Sequence, residues 1–249
     1  MSRESYDKIA AVYATDMGQS MAFDDVGYYR QLCRAKGGCV LELGCGTGRI
    51  LLPLLQSGID IHGIDQSPGM LDELTRQAAA LQLQPEVGLG TLVDFKVEQG
   101  FDVILAPYSV VTYLTEPDAL TAFFYEVDKA LLPGGLLLVD TFIPRDVVAF
   151  DTFRLDYRRP HREGILQREK RIATQGACNC IERRYTLLDA NDKVLKSWMT
   201  LDTIRPWTGA ELIGAAFAGG FQLIDKHFDY TALVSANQQF VELHFQRLG

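Results

Sequence analysis

The stretch "VLELGCGTGRI", residues 40–50, followed after a helix-length gap by "IHGIDQSPGML", residues 61–71, decides the fold. In the first, an apolar run ends in three glycines at alternate positions, Gly44, Gly46 and Gly48; in the second, an apolar run ends in Asp65. Glycine lets the backbone turn sharply and lie directly against a ligand, with no side chain between. An aspartate at the end of the neighbouring strand can accept both hydroxyls of a ribose. A dinucleotide fingerprint needs G-x-G-x-x-G, whereas this turn runs G-x-G-x-G with Arg49 in the next place. The nicotinamide reading therefore loses its third glycine.

Working outward, "CVLEL" (39–43) reads as a buried strand, "RILLPLLQSG" (49–58) as a helix stopped at Gly58 and "IDIHGID" (59–65) as a second strand. "SPGMLDELTRQAAAL" (67–81) is a second helix, with Ser67 as its N-cap and Pro68 at its first position, where a missing N–H costs nothing. "EVGLGTLV" (86–93) and "FDVILAPY" (101–108) follow as strands, "TEPDALTAFFYEVDKALLPGG" (115–135) as a helix with a glycine stop and "LLLVDTF" (136–142) as a fifth strand. Strands alternating with helices predict a parallel sheet covered on both faces, a doubly wound α/β domain.

After Pro144 the pattern becomes polar and apolar in alternation, with "DAND" (189–192) as a hairpin turn. Helix and strand patterns resume at "GAELIGAAFAGGFQLIDKHF" and end in "QQFVELHFQRL". Residues 1–249 are accordingly read as one domain. Residues 1–38 form an N-terminal helical cap, broken by the polar stretch "TDMGQS" (15–20), and residues 145–207 an inserted antiparallel layer, the expected substrate lid.

With 249 residues, 47% hydrophobic, the chain can bury one large core. No apolar run reaches the roughly 18 residues of a membrane span, and "MSRESYDKIA" lacks a secretory apolar stretch, so a cytoplasmic location is expected. A net charge of -8 argues against a nucleic-acid partner. Five cysteines without scaffold spacing fit a reducing compartment, and neither Cys178-x-Cys180 nor the four scattered histidines matches a metal-ligand spacing, so no metal is expected. Apolar edge strands of the insertion would allow two copies to pair as a homodimer.

"VLELGCGTG" with "GIDQSPGML" and "LLPGGLLLVDTF" resembles the class I S-adenosylmethionine (SAM)-dependent methyltransferases, over roughly residues 5–249 and with the small-molecule N-methyltransferases, such as the amino-sugar N,N-dimethyltransferases, nearest in pattern. The resemblance implies a Rossmann-like seven-stranded sheet with helices on both faces plus an inserted antiparallel β layer, with SAM as cofactor and S-adenosylhomocysteine (SAH) as product. It puts Glu42, Gly44, Gly46 and Gly48, with Cys45 among them, along the methionine part of SAM, Asp65 on the ribose, and Gln66 and Met70 beside ribose and adenine. Related enzymes often read G-D-M-x-D-F after the third strand. Here "GTLVDF" (90–95) puts Thr91 in place of the aspartate and Leu92 beside it as the adenine contacts, with Asp94 as the second candidate acceptor.

Pro107 would touch SAM, Tyr108 would face the acceptor, and Tyr13 of "YDKIAAVYATDM" would close over the methyl donor, which makes Tyr13 and Tyr108 the catalytic candidates. Among His62, His161, His227 and His244, only the strand of His227 is expected to end near the crevice. The basic run "RLDYRRPHRE" (154–163) offers charge for an acidic or phosphorylated substrate, but its interruption by Asp156 and Glu163 favours a solvated charged loop. The expected reaction is methyl transfer from SAM to a nitrogen of a small metabolite or peptide terminus, because an oxygen acceptor would call for a base that the pattern does not provide. Alternatives are a small-molecule O-methyltransferase, a tRNA-base methyltransferase and a non-catalytic SAM-binding module.

Overall fold

Val40, Leu41 and Leu43 have no solvent exposure, because β1 (Val40–Leu43) runs between β2 (Ile61–Asp65) and β4 (Phe101–Ala106) and is covered on both faces. The computed structural model describes residues 3–17, 22–145, 149–231 and 237–248. Its main sheet has seven strands in the order β3 (Glu86–Leu89), β2, β1, β4, β5 (Leu131–Phe142), β11 (Phe240–Arg247) and β10 (Phe221–Phe228). β1 to β5 pair in parallel, and β11 runs antiparallel to both of its neighbours. The α/β reading with a seven-stranded sheet and a separate antiparallel layer is thus borne out.

Helices α2 (Asp25–Lys36), α3 (Leu51–Gln56), α4 (Pro68–Ala80), α5 (Pro117–Ala130) and α6 (Gly209–Ala218) cover this sheet. Two buried clusters follow from its two faces: Leu41, Ile104, Phe123, Phe124 and Phe245 in one, Val40, Leu51, Leu54, Val103 and Leu105 in the other. Period-two alternation explains the split, since neighbours along β1 and β4 point to opposite faces. Ser67 caps α4 as expected, its Oγ accepting the Met70 amide at 3.1 Å, with Pro68 at the first position.

Two boundaries differ from the sequence reading. Helix α5 stops at Ala130, and "LLPGG" belongs to β5: Leu131 is already extended, and Phe101 pairs with Leu131 before the register jumps to Val103 and Leu136. Pro133, which cannot continue a helix, and Gly134 at φ 73° form the irregularity instead of a helix stop. Helix α3 is only Leu51–Gln56, since Arg49 and Ile50 still belong to the glycine turn.

The second sheet is a meander of β6 (Phe150–His161), β7 (Gly164–Gln175), β8 (Cys178–Leu188) and β9 (Val194–Ile204). Asp189 closes its last hairpin by accepting the amides of Asn191 at 2.8 Å and Lys193 at 2.9 Å. The basic run lies mostly in β6 and is largely neutralised: Arg158 pairs with Asp192, Arg159 with Asp16 and Arg162 with Glu163. Helix α1 (Arg3–Met17) lies between the two sheets, packing Ile9 and Ala10 against Met70 on one side and Leu166 and Tyr185 on the other. Residues 15–17 of the expected polar stretch belong to α1; residues 18–20 lie outside the described residues. No helix among the described residues is long and apolar enough to cross a membrane.

Candidate active site

The chain leaves β1 through Gly44 at φ 77°, where the Gly44 amide bonds the Ile64 carbonyl at 2.7 Å. A Cβ at Gly44 would stand 2.7 Å from Val110 Cγ2, and one at Gly48 2.7 Å from Leu52 Cγ, so both positions require glycine for space as well as for a left-handed φ. Asp65, at the end of β2, holds the turn: Oδ2 accepts the Gly46 amide at 2.8 Å and Oδ1 the Ser67 amide at 2.9 Å. Burial pushes this carboxyl up, and the amides of Ser67 and Gly46 oppose the shift. Each oxygen retains a further acceptor position.

A cavity of about 340 Å³ opens over this turn, bounded by Gly44, Gly46, Asp65, Gln66, Thr91 and Leu92 at one end and by Pro107, Tyr108, Tyr13 and Tyr113 at the other. Of the residues expected to touch a cofactor, seven therefore share one cavity. Glu42, Cys45, Gly48 and Met70 are not on its wall. Cys45 packs behind the turn against Gly63, Gly48 sits under Leu52 and Leu74, and Met70 is fully buried beneath α1. Glu42 is buried with Oε2 unpartnered, and burial pushes its carboxyl well up. Asp94 bridges Thr91 through backbone bonds that close the loop after β3, and it does not line the cavity.

Tyr13 and Tyr108 close the far end together with Tyr6 and Tyr113. Tyr6 meets Tyr13 edge-on at 5.7 Å between ring centroids, and its hydroxyl lies 3.1 Å from that of Tyr113. Burial raises the pKa of all four phenols, that of Tyr108 to about 12, so they stay protonated near neutrality. Behind this ring lies a second cavity of about 250 Å³ that shares Tyr6, Tyr13, Tyr108 and Tyr113 as walls and is completed by Asp16, Arg168, Arg183, Tyr185 and Asp202.

The polar groups of the second cavity are arranged in ion pairs. Arg168 Nη1 bonds both Asp16 oxygens at 2.7 Å, and Arg183 Nη1 bonds Asp202 Oδ2 at 2.6 Å. These residues escaped the sequence reading; the available signal was the i, i+2 pair Arg183 and Tyr185, which a strand turns to one face. No histidine or lysine lines either cavity among the described residues. His227 lies elsewhere: its Nδ1 is 2.9 Å from the Tyr28 hydroxyl, which also meets His244 Nε2 at 2.6 Å.

Asp140 and Arg49 position Tyr108. Asp140, near the end of β5 and fully buried, accepts the Tyr108 amide and the Tyr29 and Tyr230 hydroxyls on Oδ2 at 2.7, 2.6 and 2.8 Å, and the Ser109 amide on Oδ1 at 2.5 Å. Both Tyr108 and Ser109 are thereby kept at positive φ, 56° and 57°. Arg49, the residue in place of a third fingerprint glycine, forms a two-pronged pair with Asp25 at 2.9 and 2.6 Å and sits 5.3 Å from the Tyr108 ring centroid.

Residues 40–135, which carry this turn and most of the larger cavity's wall, match the family described as "Methyltransferase domain". Over that stretch the chain resembles a methyltransferase domain. Along the sequence the chain is 28% identical over 158 residues to an N-methyltransferase, FrzE, of Cladobotryum sp, covering 52% of this chain and 54% of that one. It is 29% identical over 122 residues to a ubiquinone biosynthesis O-methyltransferase of Azorhizobium caulinodans, covering 49% and 46%. The chain spans about half the length of the curated relatives it matches. In three dimensions the likeness extends to the whole chain: the CcbJ methyltransferase of Streptomyces caelestis superposes with a TM-score of 0.81 over 100% of both chains at 23% identity, a likeness of fold.

Proposed function

We propose that the protein transfers a methyl group from SAM, held in the larger cavity, to a nitrogen of a small molecule held in the smaller one. The observation that carries this reading is the shared wall: the two cavities meet at Tyr6, Tyr13, Tyr108 and Tyr113. The larger cavity suits the adenosyl ligand on chemical grounds. Gly44 and Gly46 leave backbone bare for the amino-acid end, Asp65 offers acceptors to ribose hydroxyls, and Leu92 with Ile64 gives an apolar bed for adenine. Bound SAM supplies an electrophilic methyl group whose sulfonium charge disperses during transfer.

What this chain's residues then contribute is position and dryness. The four phenols, held neutral by burial, form a narrow throat that aligns an incoming lone pair and keeps water out. Tyr13 and Tyr108 are its catalytic candidates. Their neutral oxygens can also receive weakly positive groups edge-on as the methyl passes.

Nitrogen is favoured over oxygen because, among the described residues, no lysine or histidine lines either cavity, and the two carboxylates of the smaller one, Asp16 and Asp202, are bound to arginines. A hydroxyl acceptor would need a free base, while an amine needs only to arrive unprotonated. The inserted sheet β6–β9 acts as the lid that selects the acceptor, since β7, β8 and β9 supply Arg168, Arg183, Tyr185 and Asp202. Edge strand β9 exposes Val194, Leu195, Met199 and Leu201, which supports pairing of two copies through this sheet. The reaction is tested with methyl-labelled SAM and paired acceptors, each amine beside the alcohol or phenol of the same skeleton. Label in the amines supports the reading; label confined to the oxygen partners overturns the choice of nitrogen.

A further inference from the structure

At the end of the parallel strands opposite the glycine turn, Cys39, Asp60 and His62 bring a thiol sulfur, a carboxylate oxygen and a ring nitrogen within 4.8 Å of one another. Cys39 immediately precedes β1, Asp60 immediately precedes β2, and His62 is the second residue of β2. The pairing of Val40 with Ile61 sets them side by side. The sequence spacing matches no metal motif because parallel pairing, rather than a tight turn, makes the cluster. His62 and Asp65 are three residues apart on one strand, about 10 Å, so the cluster lies clear of the cofactor cavity.

Independent contacts prepare these groups for a common ligand. His62 Nδ1 lies 3.3 Å from Glu86 Oε2, while Nε2 faces Asp60 Oδ1 at 3.5 Å. A carboxylate on the far ring nitrogen orients an imidazole and leaves the near nitrogen's lone pair for a metal. The ring is also wedged edge-on against Phe101, 5.5 Å between centroids. Gln99 reaches into the cluster, its Nε2 3.2 Å from Cys39 Sγ and 3.3 Å from His62 Nε2, and an amide flip would turn its oxygen to the same point. The Cys39 backbone is fixed, its amide donating to Asp102 Oδ2 at 2.9 Å.

We propose that Cys39, Asp60 and His62 form a binding site for a zinc-class divalent ion, with a fourth position open to water or to the Gln99 amide oxygen. One thiolate, one imidazole and one carboxylate suit zinc, whereas calcium and magnesium call for oxygen donors alone. Coordination by the Cys39 sulfur exchanges an S–H bond for a metal–sulfur bond and releases one proton to solvent for each ion taken up.

The test is calorimetric titration of chelator-treated full-length protein with zinc chloride in two buffers of different ionisation enthalpy, alongside cobalt(II) absorption. Expected are one ion per chain, about one proton released, and a thiolate-to-cobalt charge-transfer band. Cys39→Ser should abolish the band, and the exposed change Asp60→Asn should weaken zinc binding while leaving the melting temperature unchanged. Glu86→Gln, which loosens only the orienting contact, should weaken it by about 10–100-fold. SAH affinity should not move in any of them. The proposal is overturned if zinc does not bind stoichiometrically, or if Cys39→Ser and Asp60→Asn bind it as tightly as the parent, which would put the ion elsewhere, for instance at Cys178 and Cys180.

Discussion

The Tyr108 amide donates to Asp140 Oδ2 at 2.7 Å, so the loop that carries a catalytic candidate is fastened to the neighbouring strand of the sheet rather than to itself. Two hydroxyls and a second amide complete the coordination of this carboxylate. Tyr29 comes from α2 and Tyr230 from the segment between β10 and β11, so one buried aspartate ties three distant parts of the chain to the throat between the cavities.

Asp140→Ala should therefore act on both stability and chemistry. It leaves four buried donors without an acceptor, and at about 1–3 kcal/mol for each unsatisfied group a total loss of at least about 3 kcal/mol is expected. For a chain of this size that is a fall in melting temperature of roughly 6–12 °C, read by calorimetry. Asp140→Asn, which keeps one acceptor oxygen, should fall between the variant and the parent.

Tyr13 separates a wall from a base. Burial holds its phenol protonated far above neutrality. Tyr13→Phe should then change kcat by less than about threefold, whereas loss of a true general base costs about 10²–10⁴-fold. Tyr13→Ala, which opens the throat to water, should lower kcat/KM by about tenfold or more. A Phe variant as damaged as the Ala variant would contradict the positioning account.

Stability should also fall as pH rises, because of Glu242. Burial, with Asp140 and Asp229 nearby, raises its carboxyl from an ordinary value of 4.5 to about 8. A group raised in the folded state contributes stability that is full below its unfolded pKa and lost as pH climbs through its folded pKa. His244 is shifted the other way, from 6.5 to about 4, and loses stability as pH falls through that interval. The two trends oppose each other between 4.5 and 6.5 and leave a decline between 6.5 and 8. Glu242→Gln should flatten that decline in a series of thermal melts.

Much of the fold and of the turn beneath the larger cavity is legible in the amino-acid sequence, and the reason is local. The turn at Gly44 to Gly48, the Ser67 cap and the placing of Asp65 at a strand end are written in adjacent residues, and the alternation of elements from 40 to 142 follows from hydrophobic period. What depends on distant pairing is hidden. Asp140 looks like one polar residue in an apolar strand until its four donors arrive from elsewhere. Arg183 and Asp202 look like ordinary alternation in a meander, and only the packing of α1 between the sheets makes them walls of a cavity. Met70 shows the converse: the motif places it by the adenine, while α1 covers it completely.

The most direct test of the account is calorimetric titration of the purified protein with SAM, SAH and, as a control, NADH, on the parent and on Asp65→Ala. The account predicts one site that takes both adenosyl ligands and not NADH, weakened in Asp65→Ala by about 1–3 kcal/mol as charge-assisted bonds to the ribose are lost. Binding of NADH with neither adenosyl ligand, or adenosyl binding indifferent to Asp65, would contradict it.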